Sequence, residues 1–264
     1  MGLKYHGITD LESWYKYAPP KGEAKQWKCT RSAMELARYI TDNVGVLPDA
    51  IKKAIEITGE QSDQEFAWAA EYVTRLVGRG EGRNHDMAIF GSDLFVGVEA
   101  KADEPFDKIA TQWLKDGGAN KRNRLNDLCK IAFGEEYNEE EFGEIRYQLL
   151  SAFGGTVREA VKRGKKKALL LVLVFSNGKE SVHAAQNNID FDAFITKAGM
   201  GIIPIYDSEI KYAGKKQISG INTIIDKEER TIDLTAFIVK AVIETHPKCD
   251  NCGWKKMCND KKRK

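Results

Sequence analysis

The chain has 264 residues, 42% hydrophobic and 30% charged, with a formal net charge of +2 at pH 7, which is the make-up of an ordinary globular protein able to bury a sizeable core. The near balance excludes a polyionic chain, so charge has to be read locally. No apolar run approaches the roughly 20 residues that cross a bilayer, and Met1–His6 lacks the apolar stretch of a signal peptide, so a cytoplasmic, reducing environment is expected.

Residues 1–30 read as irregular, because Pro19, Pro20 and Gly22 interrupt any helix. A helix is predicted from Ser32 to about Asn43, with Met34, Leu36, Ala37 and Ile40 as its apolar stripe. A second starts near Pro48, favoured in a first turn, and runs to about Thr58. Gln61 to Ala70 reads as helical too. Glu71 to Val77 can continue that helix or form a strand; stiff Val and Thr, with glycines following at once, favour the strand. Asp86–Phe90 and Val96–Lys101 flank a turn at Gly91-Ser92-Asp93 and read as a hairpin.

A helix is expected around Phe106 to Leu114, another over Arg124–Phe133 after the Gly117-Gly118 loop, and a long amphipathic one from Arg146 to Arg163. The unbroken apolar run Ala168–Phe175 suits a central strand covered on both faces. A short helix over Phe191–Ala198 follows. Gly201–Tyr206 reads as a peripheral strand, since it contains Pro204, and roughly Asp233–Thr245 as a C-terminal helix. No internal repeat or flexible linker divides the chain. One α/β domain over 1–264 is expected, with an N-terminal helical region at about 1–60 and a cysteine-rich segment at 246–264 packed on it.

Side chains alternate along a strand, so Glu99 and Lys101 emerge on one face while Val98 faces the other way. Asp86 stands at the outer end of the preceding strand. Two carboxylates and a lysine can therefore converge at the end of a sheet. Oxygen ligands of this kind fix a hard divalent cation, and a lysine beside them can orient or activate a water. That is the chemistry that hydrolyses a phosphodiester. Acidic-x-Lys is also common as a solvated surface pair. Here the strand is otherwise apolar, and it runs straight into Ala102–Phe106, a strand-to-loop transition where sites gather. Basic clusters at Lys121–Arg124, Lys162–Lys167 and Lys261–Lys264 offer phosphate contacts to a nucleic acid, or are solvated faces.

Cys249, Cys252 and Cys258 fall within ten residues of a segment too polar to be core, which points to a shared metal site. Thiolates take soft or borderline metals, so this site is distinct from an oxygen-ligated ion. His246, three residues before Cys249, could complete a local Cys3His zinc knuckle. Cys129 sits in an amphipathic helix as a buried thiol.

The order of helix, three strands with Asp86 on the second and Glu99-x-Lys101 on the third, then helix and buried strand, resembles the PD-(D/E)XK nuclease core, a restriction-endonuclease-like αβββαβ arrangement. Trp27 with Arg31–Ala37, Val98–Phe106 and Ile145–Leu150 resemble signature segments of a bacterial domain of unknown function within that superfamily. The resemblance implies Asp86 and Glu99 as ligands of Mg2+ or Mn2+ and Lys101 as the water-positioning or charge-stabilising residue. It also implies Gln148 as a glutamine near the active site and Glu71 as an added upstream acidic residue. His85 stands where the superfamily's name has proline. The cysteine spacing resembles the iron–sulfur staple of CRISPR-adaptation nucleases and bacterial helicase–nucleases, whose fourth cysteine lies upstream of the core. Cys29 occupies that place, implying a 4Fe–4S cluster held by Cys29, Cys249, Cys252 and Cys258. A metal-dependent deoxyribonuclease is the activity implied, since all three core residues are present. A catalytically silent nucleic-acid-binding or assembly module with a zinc site is the alternative.

Overall fold

The computed structural model describes residues 3–4, 7–20, 27–115, 117–178, 181–225 and 228–245. Its elements are β1 (Leu3–Lys4), α1 (Leu11–Tyr17), α2 (Ser32–Thr41), α3 (Asp49–Ile57), β2 (Phe66–Thr74), β3 (Arg83–Phe90), β4 (Leu94–Lys101) and α4 (Ala110–Leu114). There follow α5 (Ala119–Phe133), α6 (Glu139–Phe142), α7 (Tyr147–Lys162), β5 (Lys167–Ser176), α8 (Val182–Lys197), β6 (Gly201–Ile202), β7 (Ile210–Ile225) and β8 (Glu228–Glu244).

The strands form one mixed sheet in the order β1-β2-β3-β4-β5-β8-β7-β6. An antiparallel β2-β3-β4 meander meets a parallel β4-β5-β8 centre, and β7 and β6 add antiparallel on the far side. Parallel strands are covered on both faces, and β4 is buried at every position. On one face Met34, Leu36, Ile51 and Ile55 of α2 and α3 pack on Met87, Val96, Val98 and Leu171. On the other, Leu125, Leu128, Leu149, Phe153 and Phe194 of α5, α7 and α8 pack on Phe95, Leu170 and Ile238. The molecule is thus a three-layer α/β structure, as the sequence predicts.

Several elements depart from expectation, each for a local reason. Gln61 to Ala70 is not helical: a turn leads into β2, where Trp68 stacks on Trp14 of α1 at 5.3 Å. Within the irregular N-terminal stretch, α1 forms because Asp10 accepts the backbone N–H of Ser13 and Ser13 answers to Asp10 in a capping box. The helix expected from Phe106 begins only at Ala110, since the Phe106 N–H is donated to Asn187 Oδ1 at 3.0 Å and Ile109 bridges to Arg146. Ser181 caps α8 ten residues ahead of Phe191, so that helix is longer than expected. Only Gly201 and Ile202 of the peripheral strand pair, at the sheet edge. The C-terminal helix expected over Asp233–Thr245 is instead strand β8, paired with β5 from Thr235 to Glu244 and with β7 on its other side.

Candidate active site

A regular strand keeps every second side chain on one face, but β2 and β3 break this rule together. Ala70 and Met87 pack in the α2–α3 layer. Two residues away on each strand, Tyr72 belongs to the α7 layer, and His85 meets Phe95 of that layer edge-on at 6.2 Å. The ladder keeps its register across the break, Ala70 opposite Met87 and Tyr72 opposite His85. Between them stands Glu71 in the left-handed region, φ 49°, a conformation costly for a side chain with a Cβ. Both strands therefore turn over at the level of Glu71 and Asp86.

Beside this break lies a cleft of about 770 Å³ that Glu71, Asp86, Glu99, Lys101 and Gln148 all line. The five catalytic residues expected from sequence are thus brought together, Gln148 from the first turn of α7 and the rest from β2, β3 and β4. Glu99 is the hub. Its carboxylate, 1% exposed, accepts from Arg83 Nη2, from Gln148 Nε2 and from Lys101 Nζ at 3.1 Å. Gln148 in turn accepts the Asp107 N–H on Oε1 at 3.2 Å, which fixes its amide. Asp86 Oδ2 accepts the backbone N–H of Ala100 at 2.7 Å, tying β3 to β4 between the two other core residues. Glu71 accepts from the side-chain amide of Asn84.

Burial sets the electrostatics. It pushes the Lys101 ammonium down to about 8, against the opposing pull of Asp86, and raises the Asp86 carboxyl, against the charges of Lys101 and Arg83. His85, where the resemblance has proline, faces away from the cleft. Burial and then the Arg83 charge hold its imidazole well below the usual range, so it is a neutral core residue. Gly97 makes room for it: a Cβ there would fall 2.8 Å from the His85 ring and 2.3 Å from Thr156 Oγ1 of α7.

Sequence reasoning missed Arg83, Asn84 and Glu104, which also line the cleft. Counting the hairpin register outward from the Gly91–Asp93 turn places residues 83–86 beside 99–102 and would have flagged Arg83. Glu104 caps α2 from a distance. Its carboxylate accepts the Ser32 N–H at 3.0 Å and the Ala102 N–H at 3.0 Å, where the N-cap residue Arg31 makes no side-chain cap. With Gln148 from the third, all three signature segments meet at the cleft.

The described residues lining the cleft include none from Lys121–Arg124 or Lys162–Lys167. Arg124 donates to the carbonyls of Val77, Arg79 and Glu81, at 3.0, 3.1 and 2.9 Å, and so holds the β2–β3 loop. Lys165 Nζ donates to the Ser92 carbonyl at 2.7 Å, and Lys167 Nζ pairs with Glu60 at 3.4 Å.

Cys29 lies in the turn before α2, is disulfide-bonded, and receives a hydrogen bond from Arg38 Nη2 on Sγ at 3.2 Å. Cys129 is a free thiol on α5, pushed up to about 12 by burial. His246, Cys249, Cys252, Cys258 and the Lys261–Lys264 tail lie outside the described residues. Among the described residues no group of three or more His, Cys, Asp or Glu side chains is arranged to hold a metal ion, and no helix is long and apolar enough to cross a membrane.

A family model described as a domain of unknown function, DUF6946, matches residues 7–229. No curated protein and no solved structure matches the chain.

Proposed function

The chain belongs to the DUF6946 family, whose description assigns no activity, and we propose from its site that it is a metal-dependent deoxyribonuclease of PD-(D/E)XK type acting in DNA processing, repair or defence. The observation that carries this reading is the meeting of Asp86, Glu99, Lys101 and Gln148 in one cleft, with Lys101 Nζ 3.1 Å from Glu99. Asp86 and Glu99 are the residues that would hold Mg2+ or Mn2+. The donor set fits such an ion. Mg2+ is commonly bound through one or two carboxylates, with waters and substrate phosphate completing its shell, so a site of two carboxylates needs no third acidic ligand. Asp86, a buried carboxylate whose pKa burial raises, gains from a cation beside it. When bound, the ion would polarise the scissile phosphate and supply an activated water.

The protein's own groups do the positioning. Gln148 and Arg83 hold the Glu99 carboxylate in one orientation. Lys101 places a positive charge where negative charge develops on the phosphate, and can orient the attacking water. Glu104 fixes the loop after β4 against α2, which keeps the Lys101 end of the strand from fraying.

A 4Fe–4S cluster held by Cys29, Cys249, Cys252 and Cys258 goes with this reading, and with it a cytoplasmic, reducing location. One fact supports Cys29 as the fourth ligand, namely that the other described cysteine, Cys129, is too buried to supply a thiolate; the disulfide at Cys29 has to be reduced before its sulfur can bind iron. A structural zinc bound by His246 and the three C-terminal cysteines is the competing site.

Metal-dependent cleavage of labelled single- and double-stranded DNA and RNA tests the function. Cleavage should require Mg2+ or Mn2+ and fall by at least about 100-fold in Asp86→Ala, Glu99→Ala and Lys101→Ala. Activity unchanged in all three would remove the site assignment. Folded wild-type protein that cuts nothing yet binds nucleic acid would instead be the silent module.

A further inference from the structure

A second cavity, of about 290 Å³, shares a lining residue with the acidic cleft. Lys101 lines both. The two could hardly differ more in character. The cleft is walled by carboxylates and cations, whereas the cavity is bounded by Val174 of β5, Val242 of β8, Phe191 of α8 and Phe106 of the loop after β4. Its wall is built rather than incidental: Asn187 of α8 donates to the Glu104 carbonyl at 2.8 Å and accepts the Phe106 N–H at 3.0 Å. The loop and helix that frame the cavity are therefore fastened to each other.

Five polar side chains, Lys101, Ser176, Asn187, Asn188 and Lys240, stand in this largely apolar frame. Lys240 Nζ lies 4.8 Å from the Phe191 ring centroid and donates to Asn188 Oδ1 at 2.8 Å. Burial lowers the Lys240 ammonium, so its charge is held at a cost. A mostly apolar cavity with a few fixed donors, near the lower size limit of small-molecule sites, suits a flat heteroaromatic group with acceptors on its edge.

We infer that this cavity receives the base of a nucleotide whose phosphate lies in the acidic cleft, so that the enzyme acts on unpaired nucleotides. A nucleotide joins a charged phosphate to a flat, largely apolar base through one sugar. That is the juxtaposition Lys101 creates, with charge in one of the spaces it lines and aromatic and aliphatic walls in the other. A base stacked within a duplex is held between its neighbours and cannot enter a cavity walled by α8, β5 and β8; only a base in a single strand or turned out of the helix can enter. Phe106 and Phe191 supply the contact surface, and Lys240 with Asn188 supplies donors to the base edge. The inference rests on the nuclease reading.

The test uses the full-length protein, a short single-stranded DNA and Ca2+ to permit binding without turnover. A single abasic nucleotide is moved along the strand, and each affinity is measured. One position should weaken binding roughly tenfold in the wild type, the size of one lost base contact. That penalty should vanish in Ala184→Leu, which fills the cavity from α8, and in Lys240→Met, which removes its charge. With Mg2+, single-stranded DNA should be cut faster than duplex. An abasic profile flat to within about twofold, with cleavage intact, would overturn the cavity assignment and leave the nuclease standing. A penalty retained in both folded variants would also overturn it, by placing the base elsewhere. No binding and no cleavage of any DNA or RNA would overturn the nuclease reading, and this inference with it.

Discussion

Glu99 shows how much depends on one buried charge. A carboxylate that is 1% exposed is tolerable only because Arg83, Lys101 and Gln148 all donate to it. Removing one partner of a buried pair leaves the other uncompensated, a loss of about 3–5 kcal/mol, whereas exposed pairs contribute about 0–1 kcal/mol. Arg83→Leu should therefore destabilise the protein by about 3 kcal/mol in urea unfolding. Lys130→Ala, which breaks a mostly exposed pair with Glu136, should cost under about 1 kcal/mol. The double variant Arg83→Leu, Glu99→Gln should lose less than Arg83→Leu alone, because no unpaired charge remains. Equal losses would show that the arginine acts through packing of its stem. At this scale Asp86, Glu99 and Lys101 were legible as a candidate trio from residue type and spacing. Arg83 was not, because its importance comes from a partner 16 residues away across the hairpin.

At the scale of elements, the contact between β4 and α7 decides whether the site holds its shape. Glu99 and Lys101 come from β4 and Gln148 from α7, so their meeting depends on how closely strand and helix approach. Gly97 sets that distance, since Thr156 Oγ1 and the His85 ring occupy the space a Cβ would need. Gly97→Ala should cost about 1–3 kcal/mol through overpacking, read as a lower urea midpoint with unchanged m-value. Activity should fall by more than the unfolded fraction explains, because Gln148 moves with the helix. A neutral Gly97→Ala would mean that α7 shifts freely, and that the Gln148–Glu99 contact is not positional. The elements most readily read from sequence were those with local signals: the hairpin turn at Gly91–Asp93, the amphipathic stripe of α2, the apolar run of β5. Those misread, 61–70 and 233–245, lack such signals and are ordered by distant partners.

At the scale of the whole molecule, the cluster proposal makes the chain's two ends a single structural unit. Protein purified without oxygen should be brown, with broad visible absorption and about four irons per chain. Cys29→Ser should bleach it and lower its melting temperature, since metal binding and folding are coupled at such sites. His246→Ala should leave both unchanged. A colourless protein carrying one zinc, indifferent to Cys29→Ser and disrupted by His246→Ala, would decide for the local knuckle.

Gln148 and Glu71 were named only by the resemblance; the patterning of the sequence itself determined the α/β class, the β3–β4 hairpin, the flanking helices α2, α3 and α7, and Asp86, Glu99 and Lys101 among the side chains that line the cleft. These follow from short-range physics: turn residues, periods of 2 and 3.6, and the strangeness of charge at the end of an apolar strand. Tertiary structure decided the rest. The run Asp233–Thr245 is mostly apolar, interrupted by Lys240, and periodicity cannot tell a short buried strand from a buried helix; pairing with β5, more than 60 residues earlier, made it β8. Reading the strand as Asp86–Phe90 put Asp86 at its outer end, whereas β3 begins at Arg83 and holds Asp86 within it, and no local pattern shows that β2 and β3 turn over together at Glu71. A left-handed glutamate is locally unfavourable, and only the surrounding sheet, holding its register on both sides of the break, over-determines it.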